Sequence, residues 1–167
     1  MPCKFDPKQI KEHDIFIETG TYTGKTIEKF KDRYKEYHTI EIVESFHNKT
    51  KKLFEGSNNV KFYLGNSPVV LKYILTSIDE PVTFWLDAHY QGGQQPGDTF
   101  APIKSELNVI NQHHIKDHMI MIDDVRLFSN YGTTVEEVKG LLKKINPEYK
   151  FKFCEGMTPT DVLVAYT

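Results

Sequence analysis

The sequence predicts an α/β fold of the doubly wound, Rossmann-like kind: a mostly parallel seven-stranded sheet, helices on both faces, and an antiparallel hairpin at the C-terminal end. Three observations predict it. Five short apolar runs alternate with five segments of helical period, the pattern of a parallel sheet covered on both faces. Two further strand-like runs, Tyr149–Cys154 and Asp161–Tyr166, close the chain around EGMTPT. The 167 residues, 39% of them hydrophobic, suffice for a single domain with a real core and are short for two.

Each element follows in order. Asp14–Glu18 (DIFIE) reads as a buried strand. TYTGKTIEKFKDRY then places Ile27, Phe30 and Tyr34 at i, i+3 and i+7, on one helical face. Tyr37–Ile42 is the second strand, and Phe46, Leu53 and Phe54 mark the helix after it. Val60–Leu64 is the third strand and SPVVLKYIL the third helix. Val82–Leu86 is the fourth strand, and Pro102–Asn111 a helix striped by Ile103, Leu107 and Ile110. His118–Ile122 is the fifth strand, followed by a helix carrying Val135, Val138, Leu142 and Ile145. The long connection YQGGQQPGDTFA, residues 90–101, has the length of a functional lid, or of a tolerated surface insertion.

Bulk properties narrow the class. A formal net charge of -2 gives no global drive toward nucleic acid, so no nucleic-acid partner is expected. No apolar run reaches the ~20 residues of a bilayer span, and MPCKFDPKQIKEHD lacks the apolar core of a secretory signal. Two cysteines far apart, Cys3 and Cys154, fit a reducing, cytoplasmic setting better than a disulfide scaffold. His113, His114 and His118 in QHHIKDH lie on the lead-in to strand five, away from the strand ends, and read as solvated surface histidines rather than zinc ligands.

In open parallel sheets ligands bind beyond the carboxyl ends of the strands. After strand one comes ETGTYTG, residues 18–24, where Gly20 and Gly24 permit close backbone approach before a helix N-terminus. The spacing matches neither the dinucleotide GxGxxG nor a P-loop. Glu41 follows Glu18 at the distance of an acid that binds ribose hydroxyls. Glu44 reads as the start of the next helix. Asn66 and Ser67 can bond an adenine edge or serve as turn and cap residues ahead of Pro68. Strand four ends in Asp87 and His89, and strand five in Asp123 and Asp124. Three carboxylates brought to one small region repel one another unless a cation intervenes, and hard oxygen ligands suit Mg2+ or Mn2+. The alternative for the last two acids is a loop cap in solvent.

With these ends in view the chain resembles the class I S-adenosylmethionine-dependent methyltransferases, and among them the metal-dependent O-methyltransferases of the macrocin type, which act on sugar hydroxyls. FIETGTYTG, HTIEIVES, LGNSP, FWLDAHYQGG and IMIDDVRLF carry the resemblance, over roughly residues 13–167. It implies that Glu18, Thr19, Gly20 and Gly24, with Thr21 and Tyr22 of the same loop, hold the methionine end of S-adenosylmethionine. Glu41 would hold the ribose, Asn66 and Ser67 the adenine, with Asp87 also beside the cofactor. Asp87, Asp123 and Asp124 match the metal positions, for Mg2+ or Mn2+. His89 stands where such enzymes place a general base, often an acid. Tyr22 replaces a third glycine of the family loop. Tyr90 is a competing base or a surface for a sugar ring; Arg126 pairs with Asp124 or orients a substrate hydroxyl. The expected partner is a small-molecule or glycan acceptor, in a monomer or an oligomer. An aromatic diol acceptor, or a cofactor-binding module without activity, are the alternatives. The chain reads as one domain, 1–167, either a whole protein or a domain cut from a larger glycan-building enzyme; few residues precede strand one, so loop 90–101 is the expected cover.

Overall fold

The computed structural model describes residues 13–89 and 101–167. Cys3, Tyr90 and all but the last residue of the expected lid lie outside the described residues. The chain runs β1 (Ile15–Thr19), α1 (Lys25–Lys29), β2 (Glu36–Glu41), α2 (Glu44–Leu53), β3 (Val60–Leu64), α3 (Ser67–Leu75) and β4 (Val82–Leu86). It continues through α4 (Ile103–Gln112), β5 (Met119–Ile122), α5 (Val135–Ile145), β6 (Lys150–Cys154) and β7 (Val162–Tyr166). The seven strands form one sheet in the order β3-β2-β1-β4-β5-β7-β6. The first five pair in parallel, and β7 runs antiparallel to both β5 and β6. The expected architecture, including the C-terminal hairpin, is thus the observed one. Among the described residues no helix is long and apolar enough to cross a membrane.

Strand alternation divides the core between two faces. Val82, Phe84 and Leu86 of β4 point with Ile120, Ile122 and Leu163 toward Leu71 and Ile74 of α3, Leu107 and Ile110 of α4, and Val138 and Leu142 of α5. Trp85, Met119, Met121, Val162 and Val164 point the other way, with Phe16 and Tyr37, toward Ile27, Phe30 and Tyr34. All five residues of β1 are buried, which is why DIFIE reads as an unbroken apolar run rather than an alternating one.

Two expectations are corrected. The helical stripe Ile27–Phe30–Tyr34 spans more chain than the helix, which ends at Lys29. The Tyr37 hydroxyl explains the stop: it donates to Phe30 O at 2.6 Å and accepts from the amides of Arg33 and Tyr34 at 3.2 and 3.0 Å, taking groups that a further turn would need. Asp32 then adopts φ 68. Tyr34 stays on the same face and packs on Phe16, ring centroids 4.9 Å apart, so the period marked a core face rather than a helix length. The second correction concerns the histidines. His114 is exposed, but His113 and His118 are 6% and 1% exposed, packed under the lead-in turns of β4 and β5.

Register places the site. Thr19 of β1 lies level with Leu86 of β4, and Leu86 with Ile122 of β5. Gly20, Asp87 and Asp123 therefore leave three adjacent strands at one height. The strand order reverses between β1 and β4, the switch point at which crevices of such sheets open.

Candidate functional site

The loop after β1 is built for close approach. Gly20 takes φ 83, and a Cβ there would lie 2.4 Å from the carbonyl oxygen of Asp87. Gly24, φ 76, precedes α1, and its Cβ would lie 2.7 Å from Thr50 Cγ2. Tyr22 also takes a left-handed conformation, φ 46, uncommon for a residue with a large side chain. Its amide donates to Glu41 Oε2 at 2.7 Å, Thr50 Oγ1 donates to its carbonyl at 3.0 Å, and its ring meets Phe46 edge-on at 4.8 Å. These contacts hold the strained backbone in place and leave the ring half in solvent.

The acids of this end differ in environment. Glu41 accepts from the amides of Tyr22 and Val43, so the loop itself already uses both of its oxygens. Glu18 is fully buried; Thr39 Oγ1 donates to one oxygen at 2.7 Å, and the other has no hydrogen-bond partner. Burial pushes its carboxyl up to about 8, against the Thr39 bond. Thr19 and Thr21 are buried beside it, and Thr21 shares a hydroxyl–hydroxyl bond with Thr39. Asn66 is exposed at the start of α3 and its side chain makes no capping bond. Ser67, in contrast, is buried and donates to Glu106 Oε1 at 2.5 Å.

At the end of β4 the side chains of Asp87 and His89 converge with Asp124. His89 Nε2 lies 3.3 Å from Asp87 Oδ1 and 2.7 Å from Asp124 Oδ2. Burial works against a charged imidazole here, but the bonds to Asp124 and Asp87 outweigh it and hold the pKa up at about 10. Asp124 itself sits in a left-handed conformation, φ 59, with its amide bonded to Asp123 Oδ1 at 2.8 Å. Arg126 Nη1 bonds Asp124 Oδ1 at 2.6 Å and also the fully buried Asp161. The pairing alternative for Arg126 is therefore realised. Despite its burial, Asp124 stays below the usual carboxylate range because His89 and Arg126 both bond it. Asp123 is pushed up to about 7, first by burial and then by the charge of Asp87.

A small, open cleft is lined by these ends, including Asp87, His89, Glu106, Asp123, Phe128 and Tyr131. Tyr131 stacks on the His89 ring, centroids 5.9 Å apart, and its buried hydroxyl has no hydrogen-bond partner.

The three expected metal acids do not gather as one set. Among the described residues two groups of possible ligands have their donor atoms within 4.8 Å of one another: Asp87, His89 and Asp124, and Asp123, Asp124 and Asp161. The second already holds the guanidinium of Arg126. The first, two carboxylates and an imidazole, fits a divalent ion by its chemistry, since carboxylates suit Mg2+ and Mn2+ and imidazole suits transition ions.

Three polar residues of the site escaped the sequence reading. Glu106 left a signal, an acid inside the apolar stripe Ile103-x-x-x-Leu107-x-x-Ile110. Asp161 reads only as a strand start and Tyr131 only as a loop aromatic, because long-range contacts alone make them part of the site.

The sheet order β3-β2-β1-β4-β5-β7-β6, with its antiparallel last hairpin, is a Rossmann-like methyltransferase fold. No family model and no curated sequence matches the chain. Among solved structures, a Streptococcus mutans protein assigned as a methyltransferase and solved with S-adenosylhomocysteine is similar at a TM-score of 0.63. Its identity is 15%, over 94% of this chain and 90% of that one. A Staphylococcus aureus protein assigned as a caffeoyl-CoA O-methyltransferase is similar at 0.60, with 15% identity over 92% and 76% of the two chains. The 23S rRNA methyltransferase ErmE is similar at 0.58, with 12% identity over 95% and 63%. At these identities the likeness is one of fold.

Proposed function

We propose that the chain is an S-adenosylmethionine-dependent O-methyltransferase of the metal-dependent, macrocin-like kind, acting on a hydroxyl of a sugar or glycan. The observation that carries this reading is the convergence of Asp87, His89 and Asp124 just beyond β4 and β5, one strand from the glycine loop of β1. The methyl group is the cofactor's to give. The chain's part is to bind and orient. Gly20 lets the loop pass close against the backbone of Asp87, and Asn66 is exposed where the adenine would lie. Asp87 and Asp124 are the residues that would hold Mg2+ or Mn2+, leaving His89 Nε2 for the proton, and such an ion when bound would supply Lewis acidity to a hydroxyl. Asp123, the third expected ligand, faces the same pocket.

His89 is the group that takes the acceptor proton. Between two carboxylates it is an imidazolium at neutral pH, so it acts as a base only when another cation offsets Asp87 and Asp124. The base role and the metal therefore stand or fall together. A second reading, an aromatic diol as acceptor, is favoured by Phe128 and Tyr131 in the pocket wall.

Calorimetric titration with S-adenosylmethionine and S-adenosylhomocysteine is expected to give binding. Methyl transfer with Mn2+ or Mg2+ should then appear for a monosaccharide within a panel that also contains catechol and ribosomal RNA. Excess chelator should remove it. No cofactor binding sinks the whole reading; full activity in chelator sinks the metal; transfer only to catechol or to RNA replaces the acceptor.

A further inference from the structure

The motif QHHIKDH contributes nothing to the site just described, yet two of its three histidines are buried in the fold at the opposite end of the sheet. Their hydrogen bonds form a chain. Val82 N lies 3.1 Å from His118 Nδ1, His118 Nε2 lies 3.0 Å from His113 Nδ1, and His113 Nε2 lies 2.9 Å from Ile78 O. The two ends of the chain settle its protons. The Val82 amide can only donate, so His118 Nδ1 is a bare acceptor and its proton sits on Nε2. That proton is donated to His113 Nδ1, which is therefore also bare. His113 carries its own proton on Nε2 and donates it to the Ile78 carbonyl. With both rings neutral and in the same tautomer, each of the three bonds has one donor and one acceptor.

The chain of bonds clips two turns together. Ile78 and Val82 bracket the turn that leads into β4, and His113 and His118 bracket the turn that leads into β5. These parallel neighbours carry Asp87 and His89, and Asp123 and Asp124, at their far ends. Phe84 closes the clip by meeting the His118 ring edge-on at 5.1 Å.

We infer that His113 and His118 form an acid-released latch, a neutral imidazole pair that fastens the lead-in turns of β4 and β5 and opens when either ring takes a proton. A proton on His118 Nδ1 would face the Val82 amide, and one on His113 Nδ1 would face the His118 N–H; either way two donors meet in a buried place. The surrounding charges do not relieve this. His114, Lys116 and the acid Asp79 stand near His113; His13 and Lys116 stand near His118, whose one opposing influence among these is the carbonyl of Ile115. Burial and these cations hold both rings below the ordinary histidine range, His118 at about 3. An imidazole with a lowered folded-state pKa takes its proton more readily when unfolded. Its stabilising effect is therefore complete above about 6.5 and is lost as pH falls from there toward the folded value.

Two measurements test the latch on the whole chain. In the native protein, nitrogen NMR of the imidazoles is expected to show His113 and His118 as the neutral Nε2–H tautomer, with neither ring titrating between pH 7.5 and 5.5. In denaturant titrations, the unfolding constant is expected to rise up to about tenfold per pH unit for each latch histidine between pH 6 and 4. His113→Gln and His118→Asn should each flatten that rise. Carboxyl groups titrating in the same range are common to all variants and cancel in the comparison. Either buried ring charged at pH 7, or in the other tautomer, overturns the latch, as does an unchanged acid slope in both variants. If the variants do not fold, the NMR result alone decides.

Discussion

Replacing Gly20 with alanine is expected to destabilise the chain by about 2–5 kcal/mol, and the structure gives both parts of that figure. Gly20 holds φ 83, where an L side chain costs roughly 1–2 kcal/mol. The new methyl would also lie 2.4 Å from Asp87 O, 2.8 Å from Asp87 C and 3.0 Å from Ala88 N, all backbone atoms that no side-chain rotation moves away. β1 and β4 would have to part at their carboxyl ends, an overpacking cost of about 1–3 kcal/mol. Gly132→Ala is the matched control. Its φ is 67, but nothing lies within 4 Å of a Cβ there, so only the backbone cost of roughly 1–2 kcal/mol applies. Denaturant melts of both variants separate the two terms, and in a chain of this size the Gly20→Ala loss corresponds to a midpoint drop of about 4–20 °C. S-adenosylhomocysteine titration should show lost binding for Gly20→Ala and retained binding for Gly132→Ala. If the two variants lose the same stability, the close approach of Asp87 is not what fixes glycine at position 20.

Other substitutions probe the buried polar groups and the helices. Glu106 sits at about 7 through burial, so its contribution is complete below about 4.5 and is lost as pH rises through 7. Glu106→Gln should flatten that decline and leave the variant more stable than the parent above pH 8, by on the order of 2–3 kcal/mol. A decline just as steep in the variant's denaturation midpoints would acquit Glu106. Arg126→Met strands the carboxylate of Asp161, which is fully buried, and should cost about 3 kcal/mol in equilibrium unfolding; a loss below about 1 kcal/mol would mean that the amides of Met157 and Arg126 suffice for it. Gly140→Ala, inside α5 with open space around its Cβ, should stabilise by about 0.5–1 kcal/mol, and a destabilised variant would contradict the free helix surface.

By itself the sequence determined the order and kind of the elements. Fully buried strands must be apolar throughout, and helices resting on a sheet must repeat their apolar residues at helical period, so five alternating units and a hairpin were legible as a doubly wound sheet. The placement of the glycine loop, Glu41, Asp87 and His89 at strand ends was legible too, because it follows from where the apolar runs stop. The tertiary structure decided which side chains answer one another. It placed His89 between Asp87 and Asp124 rather than setting three aspartates around one point, because Arg126, reaching also to Asp161, holds the other side of Asp124. It put Glu106 under Ser67, and it turned two of three apparently exposed histidines inward as links between turns. Periodicity reports which face of an element is buried. The protonation and partners of a buried polar group depend on residues distant in sequence, as His89 does on Asp124 and Glu106 on Ser67, and only the folded chain brings those together.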